Sequence, residues 1–162
     1  MRTRHIRTTQ RGFTLIEMIA VVAIVGVLAS AAQPMLALAA RRHKEAELRA
    51  DLRALRSAID AYHQAVLSKR ITPIPSSLEG YPPTLNALVE GVPDAQHPGH
   101  KLYFLRRLPR DPFADSQGPA ALAWGLRSYD SPPDAPQPGA DVFDVYSLTE
   151  GAGLDGQPYR EW

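Results

Sequence analysis

The sequence predicts an α+β fold: one long amino-terminal helix whose first half suits a membrane, packed through its second half on a small antiparallel-sheet head. Three observations carry that reading. Residues 18 to 40 contain no charged side chain, an apolar repeat at intervals of three and four comes after them, and fourteen of the 15 prolines fall at Pro73 or later. A proline-poor half favours one continuous helix, and a proline-rich half favours short elements joined by turns. The composition, 44% hydrophobic and 22% charged over 162 residues, is that of an ordinary folded domain and excludes a wholly disordered chain.

The amino terminus divides sharply. Residues 1 to 12 carry Arg2, Arg4, Arg7 and Arg11 and no acid, while residues 13 to 40 carry one charge, Glu17. A helix rising about 1.5 Å per residue crosses a hydrocarbon core of about 30 Å in about 20 residues, so the uncharged run is long enough to span it. The one-sided arginine cluster keeps the amino terminus cytoplasmic and sends the remainder outward. A buried soluble helix leaves that cluster unexplained. A removable secretory signal would end at the small-x-small Ala29-Ser30-Ala31, yet the apolar run continues to Ala40. Without the leader the chain is net acidic, and no basic surface interleaved with aromatics points to nucleic acid. Cysteine is absent, which removes disulfides, thiol nucleophiles and thiolate metal sites.

The junction Gly12-Phe13-Thr14-Leu15-Ile16-Glu17 separates the kinds of anchor. A basic leader, a glycine, a phenylalanine and a glutamate at the fifth position after the junction closely resemble the class III signal of type IV pilins and type II secretion pseudopilins. The resemblance implies that a prepilin peptidase cuts between Gly12 and Phe13 on the cytoplasmic side and that the new amino group of Phe13 is methylated. It further implies that Glu17 meets the charged Phe13 amino group of a neighbouring subunit during assembly. Physical chemistry agrees with the residue types. Gly12 admits close approach of a protease to the backbone, and a carboxylate in an apolar segment is costly unless paired. A glutamate resting at the membrane interface is the alternative. Pro34 matches the proline often found in that family's stem, where a bend would ease packing between subunits; a bend without functional consequence is the other reading.

Beyond the membrane run, Leu48, Leu52, Leu55, Ile59, Tyr62 and Val66 mark one apolar helix face. Glu45 with Arg49, and Arg56 with Asp60, stand four apart with opposite charge. The domain scheme is a leader at 1–12, a transmembrane and assembly helix at 13–40, an amphipathic stem helix at 41–70 and a head at 71–162. Within the head, residues 84–91 suggest a short helix capped by Thr84 and ended by Gly91. Residues 101–105, 121–126 and 142–148 suggest strands, the last two joined by the proline-rich 131–139.

The head carries a looser resemblance of its own. Tyr81-Pro82-Pro83-Thr84-Leu85, the stretch from Leu102 to Pro112, Asp141 to Leu148 and the final Trp162 are similar to the major pseudopilin (protein G) family of type II secretion. Members commonly follow Tyr-Ser-Leu with an acidic calcium loop, whereas this sequence has Thr149-Glu-Gly-Ala-Gly-Leu-Asp-Gly156. The carbonyl of Leu148 and the carboxylates of Glu150 and Asp155 are the candidate calcium ligands; a glycine-shaped turn is the alternative.

Other chemistry is thin. His97 and His100 flank a turn without a further ligand at metal spacing, and Asp141 and Asp144, three apart in a strand-like stretch, would point to opposite faces. No zinc-protease helix, phosphate loop or nucleophile elbow occurs. The expectation is a non-enzymatic, single-pass inner-membrane subunit with a periplasmic head. Its expected partners are copies of itself, the peptidase, other pseudopilins, the inner-membrane secretion platform and the lipid bilayer. A type IV pilus or DNA-uptake minor pilin is the alternative within the filament class, and a membrane-tethered binding module or enzyme lies outside it.

Overall fold

The computed structural model describes residues 12–74, 77, 79–114 and 117–162. The leader's four arginines lie outside the described residues. The chain forms two compact units, residues 1–41 and 42–162. A single helix, α1, runs Leu15–Leu67 and contains Pro34. It opens with a capping box: Glu17 N donates to Thr14 Oγ1 at 3.3 Å, and Thr14 N donates back to Glu17 Oε2 at 3.5 Å.

In the first unit the described apolar side chains face outward, with Phe13, Leu15 and Ile16 at 76%, 79% and 72% exposure. An exposed apolar surface of this kind suits lipid or neighbouring apolar helices. Pro34 has no N–H, so the carbonyl of Ser30 lacks its helical donor.

In the second unit, Leu48, Leu52, Leu55, Ile59 and Tyr62 are buried as the periodicity predicts, and Val66 packs at the edge of the core. Trp124, Val142, Val145, Leu85 and Leu88 close over them. Burial of a leucine-sized side chain contributes about 1.5–3 kcal/mol, so this stripe is what joins helix and head.

The helix stops at Leu67, three residues short of the predicted 70. Arg70 N bonds Ala65 O at 2.8 Å and Lys69 N bonds Val66 O at 2.9 Å, with Lys69 at φ 58°. This is a Schellman stop whose left-handed position holds lysine instead of glycine. Lys69→Gly is therefore expected to raise the thermal midpoint of the full chain in detergent, by up to about 1 kcal/mol in stability. A lowered midpoint would contradict that account.

The head's elements are short. Helix α2 is Ala87–Glu90, and Gly91 comes next at φ 79°. Thr84 is not its side-chain cap; its carbonyl accepts from Ala87 N, and Asn86 takes the cap position without a side-chain bond. Strands β1 (Val92–Pro93) and β2 (Lys101–Leu102) form one antiparallel pair, and β3 (Trp124–Arg127) and β4 (Asp144–Ser147) form another. Strand β2 ends early because Phe104 N and Leu105 N both donate to Leu88 O. The predicted 121–126 strand begins late because Pro119 opens a 3-10 turn, Ala120–Ala123. Val142 lies outside β4 because its N–H donates to Pro82 O at 2.8 Å.

Gly125 faces Tyr146 across β3 and β4. A Cβ on Gly125 would stand 2.3 Å from the tyrosine ring, so the ring lies on bare backbone. That close approach is what requires glycine in this strand.

Candidate functional site

The amino-terminal end of α1 places Gly12, Phe13 and Glu17 on an exposed segment. Among the described residues, its chain neighbour aside, no atom lies within 4 Å of where a Cβ on Gly12 would stand, so a side chain there has room. Glu17 is the third residue of the helix, beside the positive end of its dipole. Its carboxylate bonds only weakly to Thr14 N at 3.5 Å, which leaves acceptor capacity toward an outside cation. Pro34 is likewise exposed. Threonine three residues before glutamate is the ordinary sequence signal of the Thr14 cap.

The second half of the stem holds the head by charge as well as by apolar packing. The expected i,i+4 partners of Arg49 and Arg56 give way to longer reaches, to Asp155 and Asp144. Arg56 Nε donates to Asp144 Oδ1 at 2.8 Å, and its Nη2 donates to the main-chain oxygens of Val145 at 3.0 Å and Trp162 at 2.6 Å. One guanidinium thus ties α1 to β4 and to the final residue, a use of its rigid fork that lysine could not reproduce. Asp141 precedes β4 and accepts from Tyr129 N at 2.9 Å. The two aspartates serve separate structural bonds.

Asp111 is buried, and its carboxylate accepts from Phe113 N at 2.8 Å and from Ser147 Oγ. The carboxylate thus serves to fasten the loop that follows it to β4. Asp94 is enclosed at the far end of α1, where Arg70 Nη2 reaches Oδ2 at 2.6 Å, His97 Nδ1 at 3.1 Å, and Gln96 N bonds Oδ1 at 3.0 Å. The Arg70 hydrogen bond, the largest cause, holds the Asp94 carboxyl well below the usual carboxylate range; Gln96 and His97 add to it, and burial opposes them. The folded state therefore favours ionised Asp94 over the unfolded chain. That stability is present above about pH 4 and is lost as pH falls toward the lowered folded value. We expect the thermal midpoint of the wild type to fall more steeply below about pH 4 than that of Asp94→Asn. Parallel pH curves would show that the Arg70 contact adds nothing.

At the carboxy terminus, Leu148 and Glu150 are exposed. Asp155 faces α1: its Oδ2 pairs with Arg49 Nη2, and its Oδ1 accepts from Gln157 N at 3.1 Å. A calcium ion takes about six to eight oxygens. Among the described residues, no three His, Cys, Asp or Glu side chains gather where they could hold a metal.

An exposed apolar helix opened by one carboxylate, continuing into a small head of two-stranded antiparallel sheets, defines a pilin-like subunit of a membrane-anchored filament. Residues 7–33 match the family model described as the prokaryotic N-terminal methylation motif. Over 154 residues the chain is 31% identical to the type II secretion system core protein G of Pseudomonas aeruginosa, spanning 93% of this chain and 88% of that protein. The chain belongs to this core protein G family of pseudopilins. No solved structure matches it.

Proposed function

We propose that the chain is a structural subunit of a type II secretion pseudopilus, assembled through its amino-terminal helix, and that the filament supports export of folded proteins. The observation that carries this reading is the likeness to a type II core protein G, which covers 93% of the chain and so takes in the head. The leader alone would suit any filament of the class.

In this reading a prepilin peptidase removes residues 1–12 at Gly12–Phe13. The apolar stem holds the subunit in the inner membrane, with the head in the periplasm. Glu17 then pairs with the new amino group of a neighbouring Phe13, and Pro34 eases packing between stems. Other pseudopilins and the inner-membrane platform complete the assembly. Displacement or elongation is powered elsewhere in the machine, and the subunit itself catalyses nothing.

Deletion of the gene tests the proposal. Exported proteins should accumulate in the periplasm, and the wild-type chain should restore their release. Undisturbed secretion together with lost pilus-dependent motility or DNA uptake would move the subunit to a type IV pilus system.

A further inference from the structure

The carboxy-terminal loop is fastened to the stem by two side chains one helical turn apart. Glu45 is only 6% exposed, although it is a carboxylate on a helix surface. Its Oε1 accepts from Tyr159 Oη at 3.0 Å and from Leu154 N at 3.1 Å, with Oε2 at 3.3 Å from the same amide. Arg49, four residues on, pairs with Asp155 and lays its guanidinium 4.0 Å from the centre of the Trp162 ring. The spacing puts both side chains on one face of α1.

The polarity of these contacts is informative. A loop folded round a cation turns its carbonyl and carboxylate oxygens inward. Here the loop instead presents an N–H, that of Leu154, to a buried anion, and its carboxylate meets a guanidinium. A buried carboxylate is tolerated only when hydrogen-bonded, and Glu45 is bonded by the loop itself.

The loop is also closed from within. Gly153 N donates to Gln157 O at 2.7 Å, Tyr159 N donates to Gly151 O at 3.1 Å, and Ala152 bridges to Pro158. A Cβ on Gly153 would stand 2.2 Å from Trp162 Cζ2, so the indole is seated directly on the loop backbone.

We propose that residues 150–162 are locked to the stem by Glu45 and Arg49, which take the place of a calcium ion, so that the terminal loop closes independently of calcium. The lock concerns the head alone and holds whichever filament the subunit builds. It assigns Glu45 and Arg49 a specific task, to hold the surface formed by the last residues in one conformation.

The test is hydrogen exchange, read by mass spectrometry, of segment 150–162 in the full chain in detergent micelles, with millimolar calcium chloride or with a chelator. The wild type should exchange at the same rate in both. Glu45→Gln and Arg49→Met should each exchange about tenfold faster in that segment, with or without calcium, while the segment around Leu52 and Leu55 stays protected. Should Glu45→Gln fail to fold, Arg49→Met still decides the matter, because the Arg49 side chain is 46% exposed and its methionine substitute keeps an apolar stem over Trp162. Wild-type protection that rises with calcium would overturn the proposal, and so would variants that exchange no faster than the wild type.

Discussion

A Gly12→Leu chain is expected to accumulate as the uncut precursor, with its leader attached and no subunit entering a filament. The reason lies outside the fold. Among the described residues, its chain neighbour aside, no atom stands within 4 Å of a Cβ built on Gly12, so the head should keep its wild-type thermal midpoint. Under the proposed cleavage, what the substitution would obstruct is the approach of the peptidase to the backbone at the Gly12–Phe13 bond. Gly12→Ala, which adds one methyl group, should slow removal, and leucine should reduce it by about two orders of magnitude, the scale of about 3 kcal/mol in a transition state. Intact mass and amino-terminal sequencing of membrane-extracted protein measure both products, with N-methyl-Phe13 marking the processed chain. Normal processing of Gly12→Leu would remove the proposed cleavage site, and a mature terminus at Ala32 would indicate an ordinary secretory signal instead.

The stem and its apolar stripe were legible because they depend on local periodicity. Leu48 to Tyr62 repeat at three and four, and that spacing alone selects one face of a helix. The head was legible in kind but not in extent. Strand β2 is two residues long because Leu88 O captures the amides of Phe104 and Leu105. Strand β4 begins at Asp144 because Pro82 O captures Val142 N. Those partners are distant in sequence, and no window of residues displays them.

Charge obeyed the same division. Opposite charges four apart on a helix suggested local pairs, but a helix packed against a head offers its arginines better acceptors. Arg56 finds a carboxylate and two main-chain oxygens across the interface, one of them the carbonyl of Val145. Each carbonyl shielded from water needs a donor, and such a donor has no local signature. Glu45 was legible only as half of a surface pair, since its burial comes from Leu154 and Tyr159, more than a hundred positions away. The proposed processing junction, by contrast, would be read by an enzyme as a linear segment, so its whole signal sits in consecutive residues.

Glu17→Gln is expected to leave a chain that inserts, is processed and folds its head, yet fails to assemble. Glutamine is a controlled substitution here, because its side-chain oxygen can still accept from Thr14 N and preserve the capping box that opens α1. What it removes is the only charge between Phe13 and Ala40. In a bundle of apolar helices the amino group freed at Phe13 needs a compensating anion, and an unpaired buried charge costs about 3–5 kcal/mol. A defect of that size at each addition would reduce multimers by at least about a hundredfold, with the strongest effect where a filament must recruit its next subunit. Because the native chain has no cysteine, a cysteine introduced at the exposed Leu36 reports crosslinking between copies without background from other thiols. Crosslinked ladders and secretion should both collapse in Glu17→Gln at equal abundance of mature protein. If ladders and secretion persist at wild-type levels, the charge pair is not what drives assembly, and Glu17 acts as a residue of the membrane interface or as a determinant of processing.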